Sequence, residues 1–218
     1  PSAYLSFQLP KDNELQLNYT RRINRPRGWI INNHVDRTDP TNISYGNPYI
    51  DPEYSNNVEF NYLKTWEYHT ISVGAFYSYT ENVIQRVQKL NDNGVMESTW
   101  DNITQSQSAG IDLTVKNRLF NNYLDLTTTA TAYYYQLGEN EEYNIGKTET
   151  FSWNARINAN VKIINNLSAQ LTGYYNSTRL VAQGSVGHRY GMDIGLKASF
   201  LEKALNLSFS IIDCTLIN

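Results

Sequence analysis

Trp153-Asn154-Ala155-Arg156-Ile157-Asn158-Ala159-Asn160-Val161-Lys162-Ile163 sets its apolar side chains at odd positions and its polar ones at even positions. Successive side chains of a β-strand point to opposite faces, so this stretch reads as one strand with an apolar face and a polar face. The same alternation runs through Leu124, Leu126, Thr128, Ala130, Ala132 and Tyr134, and through Met192, Ile194, Leu196, Ala198 and Phe200. It recurs at Ala109, Ile111, Leu113 and Val115, opposite Gly110, Asp112, Thr114 and Lys116. Shorter matches lie at Leu5/Phe7/Leu9, Leu15/Leu17/Tyr19, Val58/Phe60/Tyr62, Ile71/Val73/Ala75/Tyr77, Ala169/Leu171/Gly173/Tyr175 and Leu205/Leu207/Phe209/Ile211. The pattern predicts an all-β chain of about ten strands.

Punctuation supports this reading. The 218 residues carry 6 prolines, all between Pro1 and Pro52, and proline is kept out of central strands because it cannot donate to a ladder. The connections alternate in length. Those near Lys11–Asn13, Lys64–Tyr68, Asn117–Asn122, Asn165–Asn166 and Glu202–Ala204 are short, and those at 23–56, 81–102, 138–146 and 181–187 are mostly longer. An antiparallel meander with this alternation gathers its short turns at one end, as outer-membrane barrels do. Strands holding alternation for about ten residues suit a bilayer crossing better than a soluble β-sandwich. Aromatic residues collect near strand ends at Tyr77, Tyr79, Tyr133 to Tyr135, Trp153, Tyr174 and Tyr175, as interfacial girdles do. Asp112, Arg156 and Asp193 stand on the polar faces, which suits a hydrated lumen. The pattern therefore favours an antiparallel up-and-down transmembrane β-barrel, with a soluble β-sandwich binding module as the competing architecture.

Composition excludes several classes. No run approaches the ~18 apolar residues of a membrane helix. With 18 basic against 21 acidic residues, net −3, the chain offers no electrostatic ground for nucleic-acid binding. A single cysteine, Cys214, excludes an internal disulfide framework and a cysteine-based zinc site. His34, His69 and His188 are scattered, with no nucleophile pattern beside them, so no catalytic constellation emerges and the chain reads as a non-enzyme. His34, Asp36, Asp39, Asn42, Asn47, Asp51 and Glu53 offer oxygens to a hard cation, but their spacing fits no EF-hand. The Asp-Pro, Asn-Pro and Tyr-Gly steps there read as rigid turns, and neither a metal nor a cofactor is expected. At the mouth of a barrel, Arg22, Arg25 and Arg37 with Trp29, Tyr45 and Tyr49 are the candidate contacts for a ligand or for a plug domain, since guanidinium forks take anionic groups and flat rings stack on sugars or planar ligands. The loop at 23–56, dense in Pro, Trp and Tyr, is expected to be ordered against that mouth.

Arg22-Ile23-Asn24-Arg25-Pro26, Asp39-Pro40-Thr41-Asn42 and Tyr45-Gly46-Asn47-Pro48-Tyr49-Ile50-Asp51-Pro52-Glu53-Tyr54 form a run that resembles the carboxy-terminal barrel half of TonB-dependent outer-membrane receptors, of the outer-membrane β-barrel family. Trp100-Asp101-Asn102, Ser108-Ala109-Gly110, Ala182-Gln183-Gly184, Leu196 to Leu201 and Ile212-Asp213 follow in the same order, so the resemblance covers residues 1–218. It implies about ten strands of a larger barrel of about 22, in the bacterial outer membrane. It also implies an amino-terminal plug of the same protein, absent from these residues, through which TonB couples uptake to the proton gradient. The substrate would be a small molecule, a glycan or a peptide, and the outer-membrane lipid would contact the wall. A passive porin-like channel or structural barrel is the alternative function. Counting strands outward and inward from the long loop predicts that both chain ends are cuts in a larger wall, leaving an open curved sheet.

Overall fold

The computed structural model describes residues 1–181, 183–200 and 205–212. The connection expected at 202–204, together with Ala182, Leu201, Asp213 and Cys214, lies outside the described residues. In chain order the elements are β1 (Ser2–Leu9), β2 (Asn13–Asn24), α1 (Gly28–Ile31), β3 (Asp36–Asp39), β4 (Asn42–Ser44), β5 (Glu53–Thr65), β6 (His69–Glu81), β7 (Ile84–Leu90), β8 (Met96–Asn102), β9 (Ser106–Leu119), β10 (Leu124–Leu137), β11 (Thr148–Ile164), β12 (Leu167–Asn176), β13 (Arg179–Val181), β14 (Gly184–Val186), β15 (Arg189–Phe200) and β16 (Leu205–Ile211).

Ten of these strands form one antiparallel sheet in the order β1-β2-β5-β6-β9-β10-β11-β12-β15-β16, which is sequence order once the loop strands are set aside. That is an up-and-down meander. Its two ends, β1 and β16, are not neighbours in it, so the sheet is open. Among the described residues no second sheet packs across it as a sandwich requires, and the sandwich reading is thereby corrected: the remaining strands form one four-stranded and one two-stranded sheet built from the longer connections.

Register turns the alternation into two faces. Ile157 faces Gly173, which faces Met192, and Ala159 faces Leu171, which faces Ile194. On the alternate positions, Lys162 faces Ser168, which faces Lys197. Apolar side chains therefore share one surface and charged ones the other, across three strands. The apolar surface is not packed against protein: Ile111 keeps 60% and Leu207 56% of its surface accessible.

The register also fixes the slope of the strands. One row of paired residues runs Asn13, Lys64, Ile71, Val115, Thr128, Ile157, Gly173, Met192. Asn13 begins β2 at the short-turn end, whereas Met192 lies eight residues from Phe200 at that end of β15, so the row climbs eight residues in seven steps between strands. At ~3.3 Å per residue and ~4.8 Å between strands, this is a tilt of about 38°. Barrel closure requires tilts of about 35–45°.

Short turns stay tight through left-handed backbone. Lys11 and Asp12 have φ of 63° and 55°, and Phe120, Asn121 and Asn122 have 52°, 53° and 68°. Asparagine tolerates this region, while Phe120 takes it at a steric cost.

The expected connection at 81–102 differs from a loop. β7 and β8 make a hairpin within it, and β8 pairs in parallel with β4 of the preceding long connection. The result is a second sheet of order β3-β4-β8-β7 at the long-loop end. Beside it lies a small core of Val83, Val87, Ile103, Leu137 and Ile145. The stretch 23–56 is ordered, as the sequence suggested, and its α1, β3 and β4 are joined to β8.

Candidate functional site

The longer connections knit into one layer. Asn102 of β8 accepts from the Asp51 amide at 2.7 Å and donates to the carbonyls of Asp51 and Asn82 at 2.9 and 2.8 Å. Asn140 donates to the Ile103 carbonyl at 2.6 Å, and the Tyr143 hydroxyl donates to Asp101. Burial and that carboxylate push the Tyr143 hydroxyl well above the ordinary phenol range. From the next connection, the Gln183 side chain accepts from the Gln88 amide at 2.9 Å and donates to the Gln88 carbonyl at 3.1 Å, pairing with β7 as a neighbouring strand would. Four connections thus hold one another by hydrogen bonds, most of them from side chains to backbone groups that would otherwise need other partners.

Local sequence explains how this layer is positioned. Asp36 accepts from the Thr38 amide at 3.0 Å and Asp39 from the Thr41 amide at 2.8 Å, closing two turns around β3. Asn47 closes a third onto the Tyr49 amide at 3.0 Å. These contacts realise the turn reading of the Asp- and Asn-rich run. Gly46 has no alternative: a Cβ there would lie 2.4 Å from the carbonyl oxygens of Ile30 and Asn32.

Within the layer a cavity of about 300 Å3 opens between α1, β4 and the β7–β8 hairpin, lined among others by Trp29, His34, Asp36, Tyr45, Arg86 and Trp100. Trp29 meets Trp100 edge to face, with ring centroids 5.0 Å apart. The Tyr45 hydroxyl donates to Glu97 at 3.2 Å, and burial together with that carboxylate raises its pKa. Arg86 stands opposite Trp100 in the hairpin register. Aromatic faces, a guanidinium and a carboxylate in one concavity can stack a ring or sugar and hydrogen-bond its edge.

Of the candidate residues, Trp29 and Tyr45 come together here. Arg22 lies on the polar face of β2 opposite Ser55, Arg25 follows that strand, Arg37 is exposed on β3 and Tyr49 is 89% exposed; none of these four lines the cavity. The neighbouring Arg21 faces the other side, 5.5 Å from the Tyr54 ring. His34 and Asp36, weighed in the sequence only as donors to a cation, line this cavity instead; Arg86 enters it from a segment whose sequence carried no binding signal, and Trp100 was legible only as part of a family motif. Among the described residues no cluster of three or more potential metal ligands occurs. No described helix is long and apolar enough to cross a membrane.

The family model described as the outer membrane protein beta-barrel family matches residues 1–214. Among curated protein sequences none matches at a significant level. Several solved structures share the fold. The siderophore receptor PirA from Pseudomonas aeruginosa superposes with a TM-score of 0.71 at 16% identity, over 98% of this chain and 38% of that one. The ferric enterobactin receptor PfeA of the same organism, in complex with enterobactin, gives 0.67 at 16% identity, over 98% and 34%. The copper transporter OprC gives 0.70 at 9% identity, over 98% and 33%. The chain thus spans about a third of the length of the receptors it superposes on.

Proposed function

Because the chain belongs to the outer membrane protein β-barrel family, we propose that it forms part of the wall and outer mouth of a TonB-dependent receptor that imports a nutrient across the bacterial outer membrane. In this reading it is a transport component and carries out no chemistry of its own. The apolar face of the ten-stranded sheet meets lipid, the polar face lines the lumen, and the layer of long connections is the extracellular mouth. An amino-terminal plug of the same protein occupies the lumen, and TonB acts through that plug.

The observation that carries the reading is the ordered loop layer, with Trp29, Tyr45, Arg86 and Trp100 converging on one cavity above the wall. A passive pore gains nothing from a rigid aromatic concavity at its mouth, whereas a receptor must hold its ligand before transport. The chemistry of the cavity suits a planar or sugar-bearing small molecule. The solved structures of like fold support the class of protein, since they are a siderophore receptor, a receptor in complex with enterobactin and a copper transporter.

The test is uptake in whole cells expressing the full-length protein, across a panel of labelled siderophores, glycans and peptides. Saturable uptake abolished by a protonophore or by loss of TonB is the expected result, with Trp29→Ala raising the half-saturating concentration. Non-saturable flux indifferent to both treatments would replace the receptor with a passive channel.

A further inference from the structure

A second cavity lies lower, on the wall itself. β13 and β14 pair as a hairpin that folds back over the polar face of β11. Ser152, almost completely buried, donates to the Thr178 carbonyl at 3.1 Å, while the Trp153 amide donates to the Ser177 hydroxyl and the Ser177 amide to the Trp153 carbonyl, both at 2.9 Å. Between hairpin and wall is a space of about 300 Å3 bordered by Tyr133, Asn154, Asn176, Arg179 and Arg189, among others. Arg179 also borders an adjoining space of about 200 Å3 with Tyr135, Thr150 and Gln85.

The register puts these side chains on one face. Tyr133 pairs with Ser152, Asn154 with Asn176, and Asn176 with Arg189. Arg189 on the wall and Arg179 on the hairpin border one concavity with Tyr133, Asn154 and Asn176. Neither lining contains a carboxylate. The ion pairs among the described residues are Arg118 with Asp125 and Lys147 with Glu149, so both arginines stand without an acidic partner there. Both arginines are exposed and border one concavity, so water screens their mutual repulsion and an anion entering the cavity can reach both. Guanidinium forks bind the paired oxygens of carboxylates and phosphates in two parallel hydrogen bonds.

We propose that this cavity is an oxyanion site, in which Arg179 and Arg189 take a carboxylate or phosphate group borne by a soluble ligand. It rests on the reading of the polar face as a lumen open to solutes. It is separate from the aromatic cavity of the loop layer: none of the residues bordering the one borders the other. A ligand spanning both would carry a ring at one end and an acid group at the other. Because the cavity opens on the polar face, the phosphates of membrane lipids do not reach it.

The experiment is equilibrium dialysis of radiolabelled pyrophosphate against the full-length protein in lipid-free detergent micelles. One saturable site is expected, weakened about ten- to a hundredfold by Arg179→Gln and by Arg189→Gln, the loss typical of one charge-assisted pair. Lys162→Gln, on the same face but outside the cavity, should leave binding unchanged. Equal affinity in all variants, or equal loss in Lys162→Gln, would overturn the site in favour of a diffuse field or an adventitious ion only. Displacement of pyrophosphate by lipid A would overturn the soluble source. Should a variant fail to assemble, phenylglyoxal labelling of the unsubstituted protein decides: pyrophosphate must slow modification of Arg179 and Arg189 and not of Arg37, and uniform labelling refutes the proposal. Binding without proton-coupled uptake would sink the receptor and spare the site; uptake with unaltered pyrophosphate binding in both cavity variants would do the reverse.

Discussion

The wall and the loop layer solve opposite solvent problems with the same alphabet. In the wall, Ile111, Leu171 and Ile194 remain accessible, and among the described residues no apolar cluster is buried between two protein surfaces. Where the layer meets the wall, Val87 of β7 and Leu137 at the end of β10 are fully buried, with Val83, Ile103 and Ile145 around them. Lipid surrounds the first region, so its apolar groups need no protein cover and its order comes from the ladder, since an unpaired backbone group costs several kcal/mol in hydrocarbon. Water surrounds the second, which must bury its own apolar groups as any small domain does. The layer is thus a miniature water-soluble fold carried on a membrane-embedded one.

The largest test of that contrast is Leu137→Ala. Truncating a fully buried leucine costs about 2–5 kcal/mol, and here the loss should stay local. Hydrogen exchange in 81–106 and 137–148 should rise steeply while the heat resistance of the assembled wall is kept. Equal loss in both regions would show that layer and wall unfold together.

Next comes the pair Ile194→Arg and Asp193→Arg, adjacent residues on opposite faces of β15. A charge at mid-membrane on the lipid face costs about 2–4 kcal/mol, so Ile194→Arg should cut the yield of assembled protein and Asp193→Arg should not. Equal yields would reverse the assignment of faces.

A smaller effect is expected where the wall is close-packed. A Cβ on Gly110 would lie 2.6 Å from the Ala132 carbonyl oxygen and 2.7 Å from the Phe76 ring. Overpacking of this kind costs about 1–3 kcal/mol, so Gly110→Ala should lower the temperature at which the wall loses its heat-resistant form. An unchanged temperature would mean that β9 shifts freely against β10.

The smallest effect is a pH dependence confined to the layer. Hydrogen bonds from the side chain and backbone of Thr38 hold the Asp36 carboxyl below its ordinary range, and Thr41 does the same for Asp39. With the folded pKa below the unfolded one, this support is complete above the ordinary carboxylate value. It is lost as the pH falls through the lowered folded value. Amide exchange at Thr38 and Thr41 should accelerate on acidification, with the wall unaffected.

Much of the wall was legible because its signal is local. Alternation with period two over Trp153 to Ile163 fixes the strand, its two faces and the kind of environment each face meets, and Asn121-Asn122 marks a short turn. The loop layer was legible only as an ordered stretch. Between Ile84 and Leu90 the apolar positions are too few to declare a face, yet β7 forms because β8 pairs with it and its Val87 enters a core.

Composition and periodicity by themselves determined antiparallel strands with polar and apolar faces, since each strand repeats its own instruction every second residue, and favoured a membrane wall over a sandwich. Tertiary structure alone decided which side chains meet. The parallel pairing of β4 with β8 joins residues about fifty apart and brings Trp29 to Trp100, and the hairpin after β12 sets Arg179 and Arg189 on one cavity. Contacts across such separations depend on how loops close in space, and nothing in the local pattern of either partner records the other.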